Sequence, residues 1–142
     1  MKNKVLPIVL GIITGFVIVR LFDFISHEFY DQDILNSLPA PTEKNREEYM
    51  QALSEMIAKL PIISLVMVMT GWLVAGFVGG AVAARFTKGI WKQNALTVGF
   101  ILFLATLSNI LIIPHPLWMT IIGLSGIVPL AYLGGLFTGE KI

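Results

Sequence analysis

The chain of 142 residues contains no cysteine. Disulfides, iron–sulfur clusters and thiolate zinc sites are thereby excluded, and nothing about redox compartment can be read. Charge is scarce as well. Asp, Glu, Lys and Arg make up 13% of the residues, where a soluble domain carries about a quarter. The formal net charge is +1, and no basic stripe exists to follow a phosphate backbone, so no nucleic-acid partner is expected. No Asp or Glu falls near the centre of a long apolar run. The coupling carboxylate of a compact proton- or cation-driven exporter is therefore missing. HExxH, Walker and GxSxG patterns are absent too, and no enzyme activity is expected. Two histidines without thiolates make a zinc set only if several loop carboxylates join them. A bis-histidine haem through His27 and His115 is the one cofactor geometry left open, and no cofactor or metal is expected.

What the chain does have is apolar length. Hydrophobic residues make up 56% of it, with a mean hydropathy of +0.80. Charges gather at the N-terminus, over 28–59 and over 85–92, and the runs between them exceed the roughly 20 residues that a helix needs to cross a hydrocarbon core. Four transmembrane helices are predicted, over about 5–26, 62–86, 94–113 and 117–138. The runs are continuously apolar and do not alternate at period two, which argues against a β-barrel. The fold class is all-α, a polytopic membrane protein with a single membrane domain. The first run follows Lys2 and Lys4 like a signal peptide, but it is too long and lacks a small-x-small cleavage site, so it reads as an uncleaved helix.

Lys2, Lys4, Arg85, Lys88, Lys92 and Lys141 fall on one side of this arrangement. The other side carries the loop 27–61, rich in Asp and Glu, and the turn around His115. The positive-inside rule then predicts both termini in the cytoplasm and the acidic loop outside. Within the loop, "LPAPT" (38–42) is a turn. Thr42 reads as an N-cap, with Glu43, Glu47 and Glu48 at the positive end of the helix that follows. Tyr49, Leu53, Met56 and Leu60 recur on one face of it. An amphipathic helix lying on the outer membrane surface or capping the bundle is expected between the first two spans, open to a protein partner. Pro61 marks a kink or the first turn of the second span.

Spans two and four echo each other. "TGWLVAGFVGG" from Thr70 aligns with "SGIVPLAYLGG" from Ser125, matching Gly71, Gly79 and Gly80 to Gly126, Gly134 and Gly135. This reads as a parallel two-hairpin repeat, against chance similarity among helices drawn from few residue types. The small residues have a packing role under either origin, since helices in lipid associate by close backbone approach. Ala75, Gly79 and Ala83 form one row and Gly76, Gly80 and Ala84 its neighbour, which predicts a central position for span two. Ala131, Gly135 and Gly139 form a third row, with Gly134 beside it, and Gly11 with Gly15 a fourth. These faces, besides the lipid bilayer itself, are where a protein partner or a second copy would attach.

Few polar groups lie at membrane depth. Arg20 and Asp23 are placed to pair along one face of span one, with His27 continuing that side, and Asn109 lies at similar depth in span three. Together with His115 they form a candidate outer-leaflet cluster for an anion, a lipid headgroup or an ion. The alternative is a snorkelling Arg20 anchored by Asp23. Pro114 and Pro116 would make His115 the exposed tip of a helix hairpin. Trp91 and Trp118 suit the two aromatic belts, whereas Trp72 lies near mid-membrane as packing.

"AARF" at the end of span two, "IPHPLW" at 113–118, and Pro129 with Gly134–Gly135 together resemble a group of small uncharacterised bacterial four-helix inner-membrane proteins with a His-Pro-Leu-Trp turn. The resemblance implies a bacterial inner membrane and four spans. It implies no activity and no site residues. A non-enzymatic subunit or interaction partner of a membrane assembly is the expected role, and a transporter or channel for a small solute or ion is the alternative.

Overall fold

The computed structural model describes residues 5–30, 33 and 36–139. Among these it is all-helical. Four helices are long and apolar enough to cross a membrane: α1 (Val5–His27), α3 (Ile62–Arg85), α4 (Trp91–Ile112) and α5 (Leu117–Thr138). A shorter helix, α2 (Arg46–Lys59), lies between α1 and α3 behind a 3-10 turn at Glu43–Asn45. Lys2, Lys4 and Lys141, on which the orientation expectation partly rests, lie outside the described residues.

Local chemistry sets the boundaries. Ile113 caps α4 in an extended conformation, as a residue before proline must, and Pro116 caps α5. Pro61 likewise caps α3 and introduces no kink. Between α3 and α4, Gly89 takes a φ of 85°, which an L side chain rarely tolerates. That turn lets α4 begin at Trp91, a full turn before the predicted 94. Thr42 is the N-cap of the 3-10 turn ahead of α2, paired reciprocally with Asn45. Asn45 Oδ1 accepts from both the Thr42 N–H and the Thr42 O–H, each at 2.7 Å, because the 3-10 turn places Asn45 opposite Thr42.

The helix α3 packs along α1 and α5 at length and along α4 more briefly, so it occupies the centre. Its two small-residue rows divide this work. Gly79 meets the backbone of Gly11, and Ala83 stands beside it, on the α1 side. Gly76 and Gly80 meet the carbonyls of Ile127 and Ala131 on the α5 side. Added Cβ atoms would stand 2.6 Å from the Gly79 carbonyl at Gly11 and 2.9 Å from the Gly11 carbonyl at Gly79, a reciprocal approach open only to glycine. Gly134 lies against the Phe77 carbonyl, Gly135 against Ala95 and Trp91, Gly139 against Trp91, and Gly15 against Leu102. Ala75 and Ala131 are fully enclosed. The matched glycines of the internal echo thus face different neighbours. Gly71 meets Phe22 of α1, while Gly126 meets Leu73 of α3.

Trp91 departs from the belt position. It is 6% exposed, lies 5.9 Å from the Tyr132 ring and fills the hollow over Gly135 and Gly139. The absent side chains of those glycines draw it into the bundle. Trp118 is 38% exposed at the opposite end, free to meet the lipid interface. At the end of Trp91, which also carries Arg85, Lys88 and Lys92, a buried clasp ties the α3–α4 turn. Asn94 Nδ2 donates to Thr87 Oγ1 at 2.8 Å, and Thr87 donates to the Ala83 carbonyl at 2.7 Å.

Candidate functional site

The other end of the bundle, where α1 gives way to the 28–61 loop, is built differently. Here α2 folds back over the helix ends. Met56, Ile57 and Leu60 are buried against Tyr30, Leu38, Leu65 and Ile113, while Glu47, Glu48, Gln51 and Glu55 stay exposed. Beneath this cover lies a cavity of about 310 Å³. Its apolar roof and wall come from α2, Leu65, Val68 and Met119, and its polar wall from Arg20, Asp23, His27, Tyr30, Asn109 and His115. All five residues of the predicted cluster therefore line one space, though they come from α1, α4 and the 113–116 turn.

The arrangement of the five differs from the sequence expectation at two points. His115 is half-buried and turned inward, so it is not an exposed tip. Its Nδ1–H donates to the Ile113 carbonyl at 2.6 Å, and its ring meets Trp72 edge-on at 5.4 Å between centroids. Backbone and indole together fold the ring down between the helices. With Nδ1 carrying the hydrogen, Nε2 keeps its lone pair as an acceptor. Burial holds His115 below its ordinary value of 6.5, against the opposing effects of that hydrogen bond and the charge of Asp23. The ring is accordingly neutral at pH 7.

The second difference concerns Arg20 and Asp23. They lie on one face of α1, as expected, and act on each other through space. Among the described residues, however, they form no ion pair within 4.0 Å. The Asn109 side chain and the Thr106 hydroxyl also lack a hydrogen-bond partner there. Thr106 shares this with the buried Ser64 hydroxyl of α3, whereas Thr14, Thr70, Thr97, Ser108 and Thr120 all donate to the carbonyl four residues back. His27 stacks on Tyr30 at 4.6 Å and forms part of the rim.

A second cavity of about 240 Å³ shares Arg20, Asp23 and Asn109 with the first. It continues toward the bundle centre between α1 and α4, with Phe16 and Val19 on one side, Leu102, Ala105 and Thr106 on the other, and Trp72 and Ala75 of α3 as its floor. Phe16 is 46% exposed, so this groove opens along the side of the bundle. Its lower limit is where Gly15 closes on Leu102. The sequence reading left out Trp72, Thr106 and Tyr30 as lining residues. Trp72 had one signal: helical side chains lean toward their own N-terminus, which carries its ring from mid-helix toward His115. Gly123 provides the seat, with a Cβ there only 2.6 Å from the indole.

Among the described residues no three of His, Asp and Glu converge as a metal site. No family model, curated protein or solved structure matches the chain.

Proposed function

We propose that the protein is a non-enzymatic integral membrane protein that works through the cavity at the loop end of its bundle. The cavity takes a small polar or charged group from the outer leaflet or the outer solution, as the binding step of a solute- or lipid-handling role. The observation that carries this reading is the convergence of Arg20, Asp23, His27, Asn109 and His115 on one cavity, with Arg20 and Asp23 not neutralised by direct pairing. Charged groups at membrane depth cost several kcal/mol unless something compensates them. A bound group with both a negative and a positive part supplies that compensation. The positive-inside bias of Arg85, Lys88 and Lys92 supports an outward-facing cavity.

A subunit role is the second reading. It rests on the exposed acidic side of α2, because the small-residue rows are already occupied by contacts within the chain. Native mass spectrometry of the chain extracted in mild detergent separates the two. A retained non-protein mass that disappears in Arg20→Leu and Asn109→Leu supports the cavity reading. A stoichiometric unrelated protein, indifferent to both substitutions and lost when Glu47, Glu48 and Glu55 become Gln, supports the subunit reading instead.

A further inference from the structure

The cavity and the groove below it form one continuous path, and its chemistry is graded along its length. Nearest the loop end stand Asp23 and the His115 Nε2 lone pair, both acceptors. Three residues back along α1, about 4.5 Å deeper along the helix axis, stands Arg20, whose exposed side chain also borders Phe24, His27 and Glu28, and Asn109 of α4 lines both cavities with it. One turn below Asn109 lies the Thr106 hydroxyl, and beneath it the path is apolar and open to the side. An acceptor group, then a cation, then a hydroxyl, then an apolar slot is the inverse of one class of molecule.

We infer that the path binds a phospholipid of the surrounding leaflet whose headgroup carries a primary ammonium, its phosphate on Arg20 and its ammonium on Asp23. The inference rests on the cavity reading above and adds to it the class of ligand and its route of entry. In such a lipid the phosphate lies between the acyl chains and the ammonium, which matches the depth order of Arg20 and Asp23. The ammonium has N–H donors for the Asp23 carboxylate and for His115 Nε2, and charge-assisted hydrogen bonds are the strong ones. A quaternary ammonium lacks those donors. A purely anionic headgroup would leave Asp23 facing negative charge. Thr106 meets the ester region, and one acyl chain lies in the slot floored by Ala75 and Trp72. Because Phe16 leaves the groove open between α1 and α4, the lipid enters sideways from the bilayer.

The test uses the full chain in detergent, titrated with three phospholipids of identical acyl chains that differ only in headgroup: ethanolamine, choline and glycerol. Native mass spectrometry should show the ethanolamine lipid retained about tenfold or more over the other two, as one or two charge-assisted hydrogen bonds imply. Asp23→Asn should abolish that preference, Arg20→Gln should weaken all three lipids, and Arg20→Lys should restore most of the loss. Equal retention of the three, preference for the glycerol lipid, or an unchanged preference in Asp23→Asn overturns the inference. In a Trp91→Phe/Trp118→Phe chain, whose helicity is checked by circular dichroism, a lipid brominated on its acyl chains should quench Trp72. If phosphoethanolamine alone protects the cavity but no diacyl lipid binds, the lipid inference falls and the cavity reading stands. If neither binds, both fall.

Discussion

The two ends of this bundle solve the problem of helix association in opposite ways. At the end carrying Arg85, Lys88 and Lys92, helices meet backbone to backbone. Gly79 touches Gly11, Gly80 touches Ala131, Gly134 touches Phe77, and Trp91 fills what space remains. Polar groups there are satisfied internally, through Thr87, Asn94 and the Thr138 hydroxyl on the Ala81 carbonyl at 2.7 Å. At the loop end the neighbours are side chains rather than backbone. A cavity separates the helices, and its polar groups face that space instead of one another. In a bilayer no water competes for buried polar groups, so the closed end can give stability alone, while the open end keeps polar capacity for something else.

The largest effect should come from the closed end. Trp91→Ala removes the side chain that fills the hollow over Gly135 and Gly139 and should cost about 3–5 kcal/mol, read as an early loss of helical signal in thermal unfolding. A native-like melting temperature would mean that this end is not the keystone. Gly134→Ala should follow at about 3 kcal/mol, near the top of the usual overpacking range, since its neighbour is the Phe77 backbone, which cannot swing aside. Gly123→Ala is the matched substitution at the open end. Its neighbour is the Trp72 ring, which can yield, so the expected cost is about 1 kcal/mol with a shift in Trp72 emission. If Gly123→Ala proved the more damaging of the two, the contrast between the ends would fail.

Acidification should act on the open end only. The fold favours the neutral His115 ring, so the unfolded chain binds the proton more tightly. The stability this confers is complete above about pH 6.5 and declines as pH drops through 6.5 toward the lower folded value. Asp23, Arg20, His27 and Tyr30 face the same cavity, and His115→Gln isolates the contribution of this ring. Unfolding followed between pH 7.5 and 5 should lose most of its pH dependence in that variant. The smallest effect is expected for Arg20→Gln, within about 0.5 kcal/mol of the parent, because no ion pair is broken. A large loss of stability there would restore the anchor role for Arg20.

Much of this comparison was legible in the sequence, and the missing parts share a cause. Span positions follow from run length, and the small-residue rows of α3 follow from helical spacing, so both could be read directly. Arg20 and Asp23 stand out in the sequence because charge at membrane depth is rare. What escaped was direction. Nothing in "IPHPLW" says that the His115 ring folds inward, because that depends on Trp72, which lies 43 residues earlier in the chain. Trp91 was assigned to a belt by its position at a span boundary. Its burial depends on two glycines of α5 lying opposite, which a linear reading cannot place. The Thr106 hydroxyl looks the same in sequence as its back-bonded relatives, and only its surroundings distinguish it.

The connections between helices also differ in length, and with it in the entropy of closing them. Residues 86–90 join α3 to α4, and residues 113–116 join α4 to α5. These short closures cost little chain entropy, whereas the segment 28–61 between α1 and α3 costs more. The three later helices can therefore zip together as a hairpin series on entering the bilayer. The contact of Gly11 with Gly79 is thus the one closed across the longest of these connections. Without that contact, the face of α1 that carries Arg20 and Asp23 would lose the α4 wall opposite it.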